Sequence, residues 1–142
     1  MKIPLAEQAL AELAEYLHAR HKLAPAWLQV RVLHCPDQDR VNAADARAFA
    51  YTADREPYRV FAARSIEALP PNFLYGVLLH ELGHLVLEAF KGGNEPEVDA
   101  WCQEFAPELK YTYASATYRR GKDRVLALNI QKIDRTPLEK IR

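Results

Sequence analysis

Phe73-Leu74-Tyr75-Gly76-Val77-Leu78-Leu79-His80-Glu81-Leu82-Gly83-His84-Leu85-Val86-Leu87-Glu88-Ala89-Phe90 is apolar at nearly every position, and its polar residues cluster at His80, Glu81 and His84. Pro70-Pro71-Asn72 stops whatever precedes it and offers Asn72 as an N-cap, while Gly92-Gly93 is a breaker beyond the far end. The spacing predicts a helix over 73–90. Residues four apart on a helix share a face, so His80 and His84 can present two imidazoles to one Zn²⁺ while Glu81 reaches a water held there. That is the pattern of a zinc metallopeptidase. A shuffle of this composition produces H-E-x-x-H roughly 0.014 times, so chance is a weak competitor. Gly76 and Gly83 each cost about 1 kcal/mol of helix propensity, which points to something packed closely against the helix at both places.

Working downstream, a catalytic zinc site uses three protein ligands and leaves a position open, so a third ligand is required. Asn94 caps a second helix, running to about Ala106, with Pro96 in its first turn and Pro107 beyond its end. This helix can return antiparallel along the first. Glu95 and Asp99 lie one turn apart on it, so Glu95 is read as the metal ligand and Asp99 as the hydrogen-bond partner of a ligated imidazole. The interval from His84 to Glu95 is short, and Glu97, or even Glu104, is the alternative ligand. Glu88 is read as a solvated or capping acid, and His18 and His34 as lone histidines. Tyr111, Tyr113 and Tyr118 can reach the site as phenol donors, but alternating aromatics on a strand are more commonly packing.

Upstream, Leu5, Ala9, Leu10, Leu13 and Leu17 recur at helical spacing, opposite Glu7, Glu12 and Glu15, giving an amphipathic first helix from Pro4 to about His21. Trp27 to His34 alternates and reads as a strand ended by Pro36-Asp37, followed by a polar loop. Ala46 to Ala53 and Tyr58 to Arg64 flank Asp54-Arg55-Glu56-Pro57 as an antiparallel hairpin; an edge strand could take a substrate, with Tyr58–Arg64 one candidate for it, and the alternation does not fix which strand is the edge. Tyr111–Tyr118 and Arg124–Ile130 form a second hairpin, and 131–142 is expected to be loosely held. The fold class is therefore α+β: one domain over 1–142, a small, mostly antiparallel sheet packed on the H-E-x-x-H helix, and a basic hairpin and tail over 108–142.

A chain of 142 residues can bury a core without staples. Lys+Arg 19 against Asp+Glu 19 balance to zero, which speaks against nucleic acid or an anionic membrane as main partner. The halves differ: residues 1–104 carry 10 basic and 15 acidic side chains, and residues 105–142 carry 9 and 4. No segment has a signal-peptide pattern or approaches 18 uninterrupted apolar residues, so the expected compartment is cytoplasmic and Cys35 and Cys102 are expected as buried free thiols. The oligomeric state is left open.

His80-Glu81-Leu82-Gly83-His84 followed by Glu95-Pro96-Glu97-Val98-Asp99-Ala100-Trp101-Cys102-Gln103-Glu104-Phe105-Ala106-Pro107 resembles the ImmA/IrrE-type family of small zinc metallopeptidases, with its H-E-L-x-H and E-x-E-A-N-x-F-A patterns. Val98, Asp99 and Trp101-Cys102 stand where that family has Ala, Asn and Phe-Ala. The resemblance covers about a third of the chain. It implies a zincin-like, specifically gluzincin-like, core, zinc held by His80, His84 and Glu95, Glu81 as catalytic base, and a protein or peptide as substrate. A zinc-binding regulatory or interaction module with little turnover is the alternative.

Overall fold

The computed structural model describes residues 3–44, 49–90, 93–120 and 124–140. Its centre is α3 (Pro71–Leu87), whose residues from Phe73 to Leu85 are all buried. An all-apolar helix is stable in water only when covered on every side. The cover comes from α1 (Pro4–His21), α4 (Glu95–Phe105), a three-stranded sheet and a hairpin, and these elements close over one continuous hydrophobic cluster.

α1 buries Ala6, Ala9, Leu10, Leu13 and Leu17, the stripe expected from its spacing, while Leu5 stands 54 % exposed at its amino end. The Glu67 carboxylate accepts from the Leu5 and Ala6 amides at 2.6 and 3.1 Å, so a residue distant in sequence satisfies donors that a helix start leaves open. The three-stranded sheet has the order β1 (Arg31–His34), β3 (Arg59–Ala62), β2 (Ala50–Tyr51), with β1 parallel and β2 antiparallel to β3. β4 (Thr112–Arg120) and β5 (Arg124–Lys132) make an antiparallel hairpin in register from Thr112 opposite Lys132 to Arg120 opposite Arg124. The molecule is thus a small α+β domain whose strand pairing is mostly antiparallel. Among the described residues no helix is long and apolar enough to cross a membrane.

Several expectations need correction. The first strand starts only at Arg31, because Pro25–Gln29 closes a 3₁₀ turn through Trp27 N–H to Ala24 O and Val30 N–H to Trp27 O. The polar loop after it is α2 (Pro36–Ala44): Pro36 opens it, Asp37 and Asp39 favour its amino end, and Gln38 and Asn42, four apart, turn inward. Polar residues on its buried face hid the helix from an apolar-spacing argument. Of the strand expected at 46–53, residues 46–48 lie outside the described residues. Tyr58–Arg64 is not an edge, since β3 is the middle strand and β1 and β2 are the edges.

α3 begins at Pro71, not behind an Asn72 cap. Asn72 lies inside the first turn, where its carbonyl accepts from Ile133 N–H and its side chain from Arg135 Nε. The helix ends at Leu87, short of the glycines, with Glu88 left-handed at φ 52°. The described part of the segment after 131, to residue 140, is not loose: Ile133 and Leu138 are buried, and α5 (Thr136–Glu139) adds a turn of helix. Cys35 is only partly buried, whereas Cys102 is fully so, and both are free thiols.

Candidate metal centre

His80 and His84 lie in the second half of α3, and α4 returns across this half. Gly83 permits the crossing, since a Cβ there would meet Val98 and Trp101 side chains at 3.0 Å. Val98 and Cys102, four apart, are the buried face of α4, and the Cys102 thiol reaches the Leu79 carbonyl at 3.7 Å. Burial pushes that thiol's pKa up and keeps it protonated. Gly76, one turn before His80, has a different neighbour: a Cβ there would stand 2.6 Å from the Gln131 and Lys132 backbone of β5. The two glycines therefore seat two different elements on α3.

Packed in this way, α4 starts directly over the histidines. The His80 and His84 Nε2 atoms are 3.1 Å apart, and the Glu95 carboxylate spans them, with Oε2 2.6 Å from His80 Nε2 and Oε1 3.2 Å from His84 Nε2. The three donors lie within 4.8 Å of one another and can hold a metal ion. Two ligands of a tetrahedral ion at bond lengths of about 2.05 Å stand about 3.3 Å apart; the His80–His84 and His84–Glu95 separations are near that, and the 2.6 Å from His80 to Glu95 is a hydrogen-bond distance that an ion would open. Asp99 lies one turn along α4, its Oδ1 3.2 Å from His80 Nδ1. Glu97 and Glu104 are exposed and outside the group, as expected for Glu97 from its ~200° rotation relative to Glu95.

Each imidazole is held through its other nitrogen. His84 Nδ1 donates to the Ala89 carbonyl at 2.5 Å, and His80 Nδ1 faces the Tyr111 hydroxyl at 2.8 Å. These partners place a proton on Nδ1 of each ring, so that with a metal bound in the shared space each Nε2 would be free to ligate it. Burial lowers the His80 pKa and outweighs the pull of the Glu95 carboxylate, with His84 adding to the lowering. The neutral ring that results is the form able to bind metal.

Glu81 is buried beside the group and hydrogen-bonded by Thr52, which follows β2. Burial, reinforced by Glu95, raises its pKa to about 8 against the lowering effect of Thr52. The base candidate therefore touches the edge of the sheet rather than the histidines' supports. Sequence reasoning missed Thr52 altogether and assigned Tyr111 and Tyr113 to packing, whereas both phenols donate to Asp99 Oδ1, at 2.6 and 3.1 Å. The signal available was their i, i+2 spacing at the start of the hairpin, Tyr111 directly before β4 and Tyr113 within it. Tyr118 does pack, edge-on to Phe49 at 5.0 Å.

His18 and His34 are spent elsewhere, on the Leu23 carbonyl and on Asp39. A cleft of about 450 Å³ opens at the other end of α3, between Leu5, Glu12, Glu67, Tyr75, Arg135 and Leu138. Its polar walls are already paired: Tyr75 with Glu12, Glu67 with the start of α1, Arg135 with Asn72. Converging donors, not cavity size, mark the chemistry here. No family model matches the chain, and neither does any curated protein or solved structure.

Proposed function

We propose that this protein is a zinc metallopeptidase with a zincin-like fold, similar in plan to the ImmA/IrrE-type enzymes, and that it hydrolyses peptide bonds in a protein or peptide. The observation that carries the reading is the convergence of His80 Nε2, His84 Nε2 and the Glu95 carboxylate, with the buried Glu81 carboxyl alongside. Two imidazoles and one carboxylate are the donor set of an open, catalytic zinc site rather than a closed structural one. When bound, the ion supplies Lewis acidity, polarising the scissile carbonyl and bringing the pKa of water towards about 7.

The chain's residues do the rest. Glu81 accepts the water proton and delivers it to the departing amine, a role suited to a carboxyl whose pKa lies near the working pH. Thr52 holds that carboxyl from the β2 side. β2 has one partner among the described strands, so its outer edge offers main-chain groups to an extended substrate next to the base, in place of the β3 edge that the sequence suggested. A regulatory module that merely holds zinc has no use for a buried, oriented base, and Glu81 favours turnover over that alternative.

Glu81→Gln tests the reading. The variant is expected to keep its metal and its fold and to lose all peptide hydrolysis, because the amide cannot take the proton. Equal hydrolysis of one substrate by the Gln variant and the parent would remove Glu81 from the mechanism and the metallopeptidase reading with it.

A further inference from the structure

We infer that Tyr111 is the positioning residue of the metal site: its phenol relays between Asp99 and His80 and fixes which nitrogen of His80 faces the metal. The inference rests on the metal-site reading above and assigns His80's orientation to an element outside the two motif helices.

The argument is one of hydrogen-bond direction. A carboxylate can only accept, so the Tyr111 hydroxyl, 2.6 Å from Asp99 Oδ1, donates to it. The phenol's one hydrogen is thereby used, and towards His80 Nδ1, 2.8 Å away, its oxygen can only accept. His80 must therefore carry a proton on Nδ1, and with a metal ion held between it and Glu95, its Nε2 is the nitrogen left to offer a lone pair. The direct path from Asp99 to His80 is longer, 3.2 Å, so the phenol carries the shorter contact. Geometry supports the same role: the Tyr111 and His80 rings lie within 9° of parallel with centroids 6.3 Å apart, and Tyr111 is 5 % exposed, which leaves the ring no room to turn.

Tyr113 is a built-in control. Two residues on, in β4, it also donates to Asp99 Oδ1, at 3.1 Å, and it bonds Gln131 and the Tyr111 hydroxyl rather than the His80 ring, with the residue 39 % exposed. Losing its hydroxyl removes a support of the carboxylate and leaves the link to the imidazole in place.

The test is competition titration of Zn²⁺ and Co²⁺ on the full chain and on Tyr111→Phe, Tyr113→Phe, Asp99→Ala and the Tyr111→Phe/Asp99→Ala double variant, with visible absorption of the Co²⁺ forms and thermal unfolding of the metal-free forms. Tyr111→Phe keeps the ring and is expected to weaken binding on the order of 10- to 100-fold, the usual cost of losing an outer hydrogen-bond partner, and to alter the Co²⁺ spectrum. Tyr113→Phe is expected to stay within about threefold of the parent, since its hydroxyl meets Asp99, Gln131 and the Tyr111 hydroxyl but not the imidazole. The double variant is expected to bind no more weakly than the weaker single variant, because either change breaks the same relay.

Equal metal affinity in Tyr111→Phe and the parent overturns the relay. So do fully additive losses in the double variant, or a lower unfolding temperature with an unchanged Co²⁺ spectrum, the signature of a merely structural ring. Should Tyr111→Phe not fold, Asp99→Ala still decides: with the phenol's acceptor gone, a parental Co²⁺ spectrum overturns the relay. A parent chain that binds neither ion fails the metal-site reading instead, and that result is distinct from the others.

Discussion

His80 and His84 stand one turn apart on α3, yet they are oriented by different kinds of structure. His84 is held by its own neighbourhood: α3 ends at Leu87, Glu88 turns left-handed, and Ala89 both donates its N–H to the His84 carbonyl at 3.0 Å and accepts from His84 Nδ1. His80 is held by Asp99 from α4 and Tyr111 from the start of the hairpin, residues 19 and 31 positions away. A local support forms whenever the helix end forms. A remote one exists only when the whole domain has closed, and it is open to change through residues that never approach the metal.

The comparison breaks first at the ligands. His80→Ala and His84→Ala are each expected to abolish most metal binding, and Glu95→Ala to lower affinity by orders of magnitude, since each removes one of three donors. Glu97→Ala is expected to leave it near the parental value, because Glu97 is exposed on the far side of α4. A chelator competition series across the four variants checks this. Full metal content in the combined His80→Ala, His84→Ala chain would remove the site, and a larger loss in Glu97→Ala than in Glu95→Ala would move the third ligand.

Next in size is the seat of the hairpin. Gly76→Ala places a Cβ 2.6 Å from the β5 backbone, where no flexible side chain can yield, so the strand must shift. The expected cost is about 1–3 kcal/mol of stability from overpacking, against under 1 kcal/mol regained in helix propensity. A displaced hairpin moves Tyr111 with it, so metal affinity should fall as well, although Gly76 touches no ligand. Denaturant unfolding and metal titration of one variant check both. Unchanged affinity in a clearly destabilised Gly76→Ala protein would show that His80 is supported locally, like His84.

The difference between the supports also marks what the sequence could reveal. His80, Glu81 and His84 were legible because four-residue spacing on a helix is a local rule, and Glu95 and Asp99 followed from the same rule one helix later. Gly76 and Gly83 were rightly read as close contacts, and the structure names the contacts. Both hairpin strands were visible through their alternation. Residues whose role depends on distant partners were not legible: Thr52 on Glu81, Tyr111 between Asp99 and His80, and the polar inward face of α2. Strand order was hidden for the same reason. Adjacency in sequence made β2 and β3 a hairpin, and only the parallel pairing of β1 with β3 makes β2 the edge beside the base.

The smallest expected effect comes from the fastening just before Tyr111. The Glu108 carboxylate accepts from the Tyr16 hydroxyl at 2.6 Å and pairs with His21 at 2.6 Å, tying the 3₁₀ turn Pro107–Leu109 to the end of α1. Burial pushes the Glu108 pKa up, but the bonds from Tyr16, its own amide and His21 outweigh it, and the net shift is downward. Tyr16 answers in the opposite sense: burial and the facing carboxylate raise its phenol to about 12, so it stays a donor throughout. An acid with a lowered folded pKa stabilises fully above its unfolded value of about 4.3 and loses that contribution as pH falls through the folded value. The stability of the domain should therefore drop below about pH 4 in part through Glu108, by about 0.5 kcal/mol, because the partly exposed carboxylate is screened by solvent. Glu108→Gln should be less stable than the parent by that amount near pH 7 and converge with it near pH 3. Parallel stability curves for the two proteins across that range would show that this fastening carries no charge-dependent energy, leaving Tyr111 held from the Asp99 side alone.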